Sequence, residues 1–477
     1  MRSRRWGNAV RSPDPGGDGF RPSRRHVLAG GIGAGALLAW PDLGLGGRSG
    51  TRRGAADQAT SQYAFLYGTP DLDPAPDGSL VAAMCPVAAR ADSPLLPVTV
   101  ATKLAATPVS SPDQALTAVA TVDMVHDGAK VTLALLDATS AAVARQASVT
   151  VTGVSGDANV LVTPVFAPGS AIVSLVLAIT EPAGKRLVRK VDPRTGSLAT
   201  QWATTWRSHH ALAYFDQGSG VVTGPFHLPD EPSLALSTAA ANSSDLLLWT
   251  TREPQPGDPA EVRAQASQSR LSVFPLGSGT ARLSRLAPPP WPGGEPVVTL
   301  STGHVARLVR GGDVQVCSPQ TGEVTEQAIT AFGLPRAKPS AVTMQTRPDG
   351  TVFMTKPGAG VAVIADPADS FRTRARIKFP VPASPLGAPW SKAVLSPTGE
   401  ALYVLGPAAT GGLCAYDVDS GRLTASYGDG RQYDGLYQLP SGALLAVRAE
   451  NPRLAFFSSD LSLLGTAETN LYVSAVF

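Results

Sequence analysis

Two acidic residues in a glycine-containing turn are the first candidates for chemistry in this sequence. In the stretch "LCAYDVDSGRL", Asp417, Asp419 and Gly421 have the one-three-five spacing with which many calcium loops begin. An EF-hand loop would continue with Gly at the sixth position and Glu at the twelfth, where this chain has Arg422 and Gly428. A side chain that accepts nearby backbone N–H groups, beside a Gly at positive φ, explains the stretch as a turn. We therefore predict no metal ion here and no cofactor for the chain.

Two adjacent histidines are the second candidate. His209 and His210 could bind a metal or transfer protons, but successive residues of a strand point to opposite faces, so one site would receive only one of them. The G-x-S-x-G spacing of a serine nucleophile does not occur in the sequence. The cysteines, Cys85, Cys317 and Cys414, are widely spaced within apolar runs. These residues identify no catalytic group, metal centre or disulfide framework.

Repeated turns show which elements must position such residues. The turn "YDVDSGRL" at 416 recurs as "VDPRTGSL" at 191 and "CSPQTGEV" at 317, and weaker copies are "LLDATSAAV", "VFPLGSGTA", "IADPADSFR" and "FFSSDLSLL". Successive copies are 42 to 55 residues apart, except for one interval of 83 residues. This spacing is typical of the four-stranded blades of a β-propeller.

A second turn alternates with the first and completes the predicted blade. Its copies are "PAPDGSLVAA" at 74, "TRPDGTVFMT" at 346, "LSPTGEALYV" at 395 and "QLPSGALLAV" at 438, each between two apolar runs. We predict the order strand A, P-x-G turn, strand B, loop, strand C, D-x-x-(S/T)-G turn, strand D. The A–B and C–D turns then form one rim, called the turn rim, and the B–C and D–A loops form the loop rim.

The predicted fold is all-β, a propeller of four-stranded antiparallel blades with seven blades. Eight blades are the alternative, because "ALAYFDQGSGVVTG" and "LALSTAAANSSDLLLWTT", within the long interval, both read as A–B hairpins. The alternating turns resemble those of exported bacterial propellers with YVTN or WD40-like (quinoprotein-like) repeats, over roughly residues 100 to 477. We expect one propeller domain at 57–477, with the strand at 471–477 beside "SQYAFLYG" or "GSLVAAM" to close the ring.

The N-terminal segment, 1–56, reads as an export leader. In "RPSRRHVLAGGIGAGALLAW", an Arg pair precedes a Gly- and Ala-rich apolar run that is too short to span a bilayer comfortably. The motif resembles the twin-arginine signal, through Ser23, Arg24, Arg25, Val27 and Leu28. The resemblance implies the twin-arginine export machinery as a partner, and an extracytoplasmic location, either secreted or associated with the cell envelope.

Charge limits the classes of partner. The leader holds ten Arg and three Asp, whereas the remainder holds 30 basic and 34 acidic residues and is mildly acidic. Nucleic acids and anionic bilayers attract basic surfaces, so neither is expected as the main partner of the body, and we expect contact with a membrane only through the leader, if the leader is uncleaved. We expect a monomer.

The loop rim is the predicted functional face, because binding residues concentrate on loops held by a rigid scaffold. Aromatic and cationic residues recur in the segments assigned to D–A loops, where they could stack on sugars or peptides or bind an anion. The alternative is that the aromatic rings pack neighbouring blades together and the charges are solvated. The candidates are Trp206, His209, His210, Trp291, Arg336, Lys338, Trp390, Lys392, Arg431, Tyr433 and Asp434.

Three functions remain open from the sequence. The first is a binding or scaffolding module for a peptide, glycan or protein partner. The second is a propeller enzyme, a lactonase-like hydrolase or a quinoprotein-like oxidoreductase, with Asp434 and His209 or His210 at the central channel. The third is a purely structural surface protein.

Overall fold

The structure, a computed structural model, is built almost entirely of antiparallel β-sheets. It describes residues 63–70, 83–88, 109–113, 115–137, 143–191, 198–228, 234–252, 269–287, 296–309, 313–321, 323–328, 342–380, 392–405, 412–428, 433, 435–439, 442–447, 453–468 and 471–476. The leader and its export motif lie outside these residues. Within the described ranges, no helix is long and apolar enough to cross a membrane.

The N-terminal strands form a sheet with the last strand of the chain. Strands β1 (Tyr63–Pro70) and β2 (Ala83–Ala88) pair with each other, and β31 (Leu471–Val476) lies on the other side of β1 in antiparallel register. The C-terminal strand is therefore hydrogen-bonded to the segment "SQYAFLYG", over 400 residues away in the chain.

Seven further sheets each contain four consecutive strands, which we call blades 1 to 7. Blade 1 contains β3 (Val109–Ser110), β4 (Leu116–Val125), β5 (Gly128–Asp137) and β6 (Val143–Thr152); blade 2, β7 (Asn159–Phe166), β8 (Ile172–Val191), β9 (Leu198–Asp216) and β10 (Val222–His227); blade 3, β11 (Leu234–Ala241), β12 (Asp245–Arg252), β13 (Ser269–Pro275) and β14 (Leu283–Ala287); blade 4, β15 (Val297–Thr299), β16 (Val305–Leu308), β17 (Asp313–Cys317) and β18 (Val324–Ala328).

The last three blades follow the same order. Blade 5 contains β19 (Thr343–Thr346), β20 (Val352–Lys356), β21 (Val361–Asp366) and β22 (Arg372–Lys378); blade 6, β23 (Ala393–Leu395), β24 (Ala401–Leu405), β25 (Leu413–Asp417) and β26 (Leu423–Tyr427); blade 7, β27 (Gly435–Gln438), β28 (Leu444–Val447), β29 (Arg453–Phe457) and β30 (Leu463–Glu468). Two short 3₁₀ segments, Pro357–Ala359 and Pro367–Asp369, lie in blade 5. The prediction of an all-β propeller with four-stranded antiparallel blades is confirmed, and the seven blades fit the predicted number.

Burial on both faces explains why the middle strands read as continuous apolar runs. In β8, Val173 and Leu175 pack in a core shared with blade 1, whereas Val176, which points the opposite way, packs in a core shared with blade 3. All three are at most 1% exposed. The blades are thus held together by apolar layers between adjacent sheets.

The repeated turns lie where the sequence predicts them in most blades. "YDVDSGRL" joins the third and fourth strands of blade 6, and "LSPTGEALYV" joins its first and second. In the C–D turn, Asp417 Oδ1 accepts the backbone N–H of Ser420 at 2.7 Å, and Gly421 has φ of 67°. These are the turn interactions expected of the repeated pattern.

One copy is an exception, and its assignment as a C–D turn is wrong. "VDPRTGSL" lies between β8 and β9, the second and third strands of blade 2. The C–D turn of this blade is "DQGSG", where Asp216 Oδ1 accepts the N–H groups of Gly218 and Ser219; its segment was wrongly assigned as an A–B hairpin. Similar residue types occur in both connections, so local composition does not reveal which strands are joined. The 83-residue interval follows from this misassignment, because it runs from "VDPRTGSL" to "VFPLGSGTA" and contains the true C–D turn of blade 2 at Asp216.

Candidate functional site

The predicted residues of the loop rim do not form one described site. Trp206, His209 and His210 lie within β9, the third strand of blade 2, so their assignment to a D–A loop is wrong. The error follows from the misassigned turn before β9. Six other candidates fall outside the described residues, namely Trp291, Arg336, Lys338, Trp390, Arg431 and Asp434.

The two adjacent histidines point to opposite faces of β9. His210 pairs with Ala178 and His209 with Ile179 across β8 and β9, and His210 is 6% exposed. Burial, with a smaller contribution from His209, lowers the pKa of His210 to about 4. The Nε2 of His210 has no hydrogen-bond partner among the described residues. His210 is therefore a buried, neutral side chain near neutral pH rather than a group presented at a loop.

Lys392 and Tyr433 are the candidates that the structure does place before strand A of their blades. The Nζ of Lys392 donates to the hydroxyl of Tyr437 at 2.9 Å and lies 4.4 Å from the centroid of its ring. Tyr433 is 5% exposed and packs edge-on against Phe457, with centroids 6.2 Å apart. Tyr433 thus packs within the fold, and Lys392 is joined to an aromatic partner that the sequence pattern did not identify.

A cleft lies on the turn rim, between blades 4 and 5. Its volume is about 510 Å³. The A–B turns of both blades border it, through Ser301, Thr302 and His304 in blade 4 and Asp349 in blade 5. Since all these turns lie on one rim, this cleft is on the face opposite the predicted one.

The C–D turns of the same blades complete the cleft. Blade 4 contributes Ser318, Glu323 and Thr325, and blade 5 contributes Asp366 and Arg374, with Phe371 as an apolar wall; the full lining also includes Leu300, Val316, Gly350, Thr351, Pro367 and Ala368. The cleft therefore combines several hydroxyl groups with three carboxylates, one guanidinium and one imidazole.

Most charged groups of the cleft are held by partners inside the protein. Asp349 accepts the N–H and hydroxyl of Thr351 at 2.9 and 2.6 Å, and its Oδ2 lies 3.2 Å from Arg347. Burial raises the pKa of Asp349, but the Thr351 hydrogen bonds, with Arg347 and Arg374, outweigh it and leave the pKa below its usual value. Asp349 is therefore a fixed carboxylate.

Two further groups are paired within their own turns. Asp366 forms an ion pair with Arg374 and accepts the N–H of Ala368 at 2.9 Å. His304 Nδ1 lies 2.9 Å from the hydroxyl of Thr302. By contrast, the Glu323 carboxylate, which is exposed, has no hydrogen-bond or ion-pair partner among the described residues. Glu323 is the charge of the cleft that remains available to a ligand.

The cleft has the chemistry of a binding site for a polar, positively charged group. An uncommitted carboxylate attracts a cation, and surrounding hydroxyls can donate or accept hydrogen bonds. Among the described residues, no group of three or more His, Cys, Asp or Glu side chains is arranged to hold a metal ion. Sequence reasoning missed this site because its walls come from turns of two different blades; the only signal was the polar composition of those turns.

Comparisons with known proteins give weak matches. No protein-family model matches the chain, and no curated protein sequence matches it. Among solved structures, Sqt1 of Chaetomium thermophilum, bound to the N-terminus of the ribosomal protein L10, is 13% identical and matches with a TM-score of 0.35, covering 76% of this chain and 96% of that one.

Two further solved structures match similarly. Virginiamycin B lyase of Staphylococcus aureus is 10% identical, with a TM-score of 0.32 and coverage of 62% and 89%. The Cps50 (Swd1) β-propeller domain of Myceliophteria thermophila is 11% identical, with a TM-score of 0.33 and coverage of 61% and 89%. The similar structures thus include both a lyase and a protein bound to a peptide segment, and the fold assignment rests on the strand topology.

Proposed function

We propose that this protein is an exported propeller that acts as a binding module, with the cleft between blades 4 and 5 receiving a polar segment of a peptide or protein partner that carries a basic side chain. The supporting observation is the exposed, uncommitted carboxylate of Glu323 in a cleft lined with hydroxyls. The cleft volume of about 510 Å³ lies in the range of small-ligand sites and suits one or two side chains of a partner.

Peptide binding can be tested by fluorescence polarisation with short labelled peptides that differ only in having Lys, Gln or Glu at a central position. We expect the Lys peptides to bind most tightly, and Glu323→Gln to weaken them by about tenfold, the loss of one charge-assisted hydrogen bond. Thr302→Trp should block the cleft. Thr398→Trp is its matched control, because Thr398 also precedes a turn glycine, Gly399, at φ of 78° but does not line the cleft.

Two results would contradict this function. One is equal affinity for Lys, Gln and Glu peptides; the other is binding that survives Thr302→Trp. Mass spectrometry of the recovered peptides distinguishes binding from turnover, since an enzyme would return altered products.

Export is the second part of the proposal. Arg24 and Arg25, followed by an apolar run, support passage through the twin-arginine machinery to the cell envelope or the exterior. In a host with this machinery, Arg24→Lys with Arg25→Lys should retain the protein in the cytoplasm. The matched control, Arg52→Lys with Arg53→Lys, should be exported as the wild type is. Equal export of both pairs would exclude this route.

A further inference from the structure

The long hairpin of blade 2 extends beyond the rest of its sheet. On one side, β7 pairs with β8 only up to Thr180, and on the other, β10 pairs with β9 only up to Ala211. From Glu181 to Val191, β8 pairs only with β9 in the described part of the chain. At about 3.3 Å per residue, this ribbon is roughly 35 Å long. As a B–C connection it projects from the loop rim.

One face of this hairpin combines aromatic, aliphatic and basic side chains. Leu187 pairs directly with Trp202, and these side chains are 53% and 67% exposed. Paired residues of antiparallel strands share a face, and alternate residues along a strand return to it. Trp206, opposite Pro182, therefore lies on the same face as Trp202, and so do Lys185 and Arg189, which are both exposed. We call this surface the hairpin face.

The charge of the hairpin is opposite to that of the body. Residues 181–208 contain six basic and two acidic residues, whereas the other residues of 57–477 contain 24 basic and 32 acidic ones. The hairpin thus has a net positive charge, whereas the rest of the body has a net negative charge. A negatively charged surface will attract the hairpin and repel the remaining body, which fixes the orientation of approach.

The β8 edge of the ribbon is interrupted at its base. On β8, Pro182 lacks an N–H group, and the register shifts between Pro182 and Gly184 as in a β-bulge. Both features are known means of protecting an exposed edge. They disfavour pairing with another strand at this point of the β8 edge.

We propose that the hairpin face docks on the surface of a bilayer that contains anionic lipids. Tryptophan favours the interface between headgroups and acyl chains, where the exposed Leu187 would also lose contact with water. Lys185 and Arg189 flank these groups on the same strand, where they would meet lipid phosphates.

A bilayer fits this face better than an anionic glycan does. The residues of the face are Pro182, Lys185, Leu187 and Arg189 on β8 and Thr200, Trp202, Thr204 and Trp206 on β9. They include no Asp, Glu, Asn or Gln, so the hydroxyls of Thr200 and Thr204 are the side-chain groups of this face that can accept hydrogen bonds from sugar hydroxyls. Docking through this hairpin leaves the turn rim, with its cleft, directed away from the bilayer.

The test uses the full chain with vesicles of phosphatidylcholine, with and without phosphatidylglycerol. Limited trypsin digestion reports on the hairpin itself, because Lys185 and Arg189 are cleavage sites within the ribbon. We expect vesicles with phosphatidylglycerol to slow cleavage at these sites severalfold and to leave cleavage at Arg285, in β14, unchanged. Protection at the hairpin is the deciding measurement, since the basic leader can itself attract anionic vesicles.

Two double variants separate the electrostatic contribution of the hairpin face from its apolar contribution. Lys185→Glu with Arg189→Glu should weaken vesicle protection of the remaining hairpin sites, Arg186, Lys190, Arg194 and Arg207, by at least about tenfold, because each basic residue adds measurably to anionic-lipid binding. Leu187→Ser with Trp202→Ser should also reduce it. Leu286→Ser is the matched control, since Leu286 is 66% exposed on another blade, and it should change nothing.

The proposal is overturned if the hairpin is cleaved equally with and without anionic vesicles, or if the charge-reversed variant is protected as well as the wild type. Protection by a sulfated polysaccharide such as heparin, without protection by vesicles, would also overturn it and would assign the hairpin face to an anionic glycan.

Discussion

The guanidinium of Arg347 lies 3.4 Å from the Oδ1 of Asp419, although the two residues are 72 positions apart and belong to blades 5 and 6. Arg347 is 8% exposed and also donates to the carbonyl of Gly399 at 3.1 Å and contacts Asp349 at 3.2 Å. One side chain in an A–B turn thus contacts both turns of the next blade. The second aspartate of the calcium-like stretch is engaged in holding two blades together.

Replacing Arg347 should destabilise the propeller without changing its strands. We expect Arg347→Met to lower the free energy of unfolding by about 1–3 kcal/mol, because the buried carbonyl of Gly399 loses its side-chain donor. Arg347→Lys should not restore stability, because the single ammonium group of lysine cannot contact Gly399, Asp349 and Asp419 at once, as the planar guanidinium does. Urea denaturation, followed by tryptophan fluorescence, measures the change.

The matched control is Arg372→Met in the same blade. Arg372 is 79% exposed and lies 3.6 Å from Asp369, an arrangement that contributes less than about 0.5 kcal/mol. If Arg347→Met and Arg372→Met shift the midpoint equally, Arg347 does not link the blades.

His210 should make the stability of the propeller depend on pH. Its pKa in the folded protein, about 4, lies below the usual value of 6.5, so unfolding takes up a proton between these two pH values. Stability from this group is fully present above pH 6.5 and is lost as the pH falls towards 4. The total loss is about 3 kcal/mol.

Denaturation midpoints across this pH range, compared between the wild type and His210→Leu, measure the effect. In His210→Leu, stability should depend less steeply on pH between 4 and 6.5, because the contribution of this histidine is removed. His126→Leu is the control, because His126 lies in an exposed turn and its side chain is 99% exposed. A slope that persists unchanged in His210→Leu would show that another group is responsible.

The sequence predicts the blades because their signals are local. Each blade requires only apolar runs and turns such as the one around Gly421, and these follow from neighbouring residues. The same locality explains the error at "VDPRTGSL", since a turn of this composition can join any two adjacent strands. His209 and His210 were misplaced as a consequence.

The sequence does not predict the candidate site, because the site forms through contacts between distant segments of the chain. Glu323 and Asp366 border one cleft although they belong to different blades, and no periodicity in the sequence brings them together. The pairing of Leu187 with Trp202 likewise depends on the register of two strands, which the residue types alone leave open.

The pairing of β31 with β1 makes the end of the chain a further test of the fold. Thr69 pairs with Tyr472 and Pro70 with Leu471, so this strand covers one edge of β1. Ending the chain after Asn470 would expose that edge, and unpaired edges promote aggregation. We expect this truncation to abolish soluble expression, whereas ending the chain after Val476, the last residue of β31, should leave yield and thermal midpoint close to those of the wild type. Sedimentation of the two lysates and thermal denaturation of the soluble fractions compare them. A soluble and equally stable protein ending at Asn470 would mean that β31 is dispensable and that the ring does not depend on the two ends of the chain meeting.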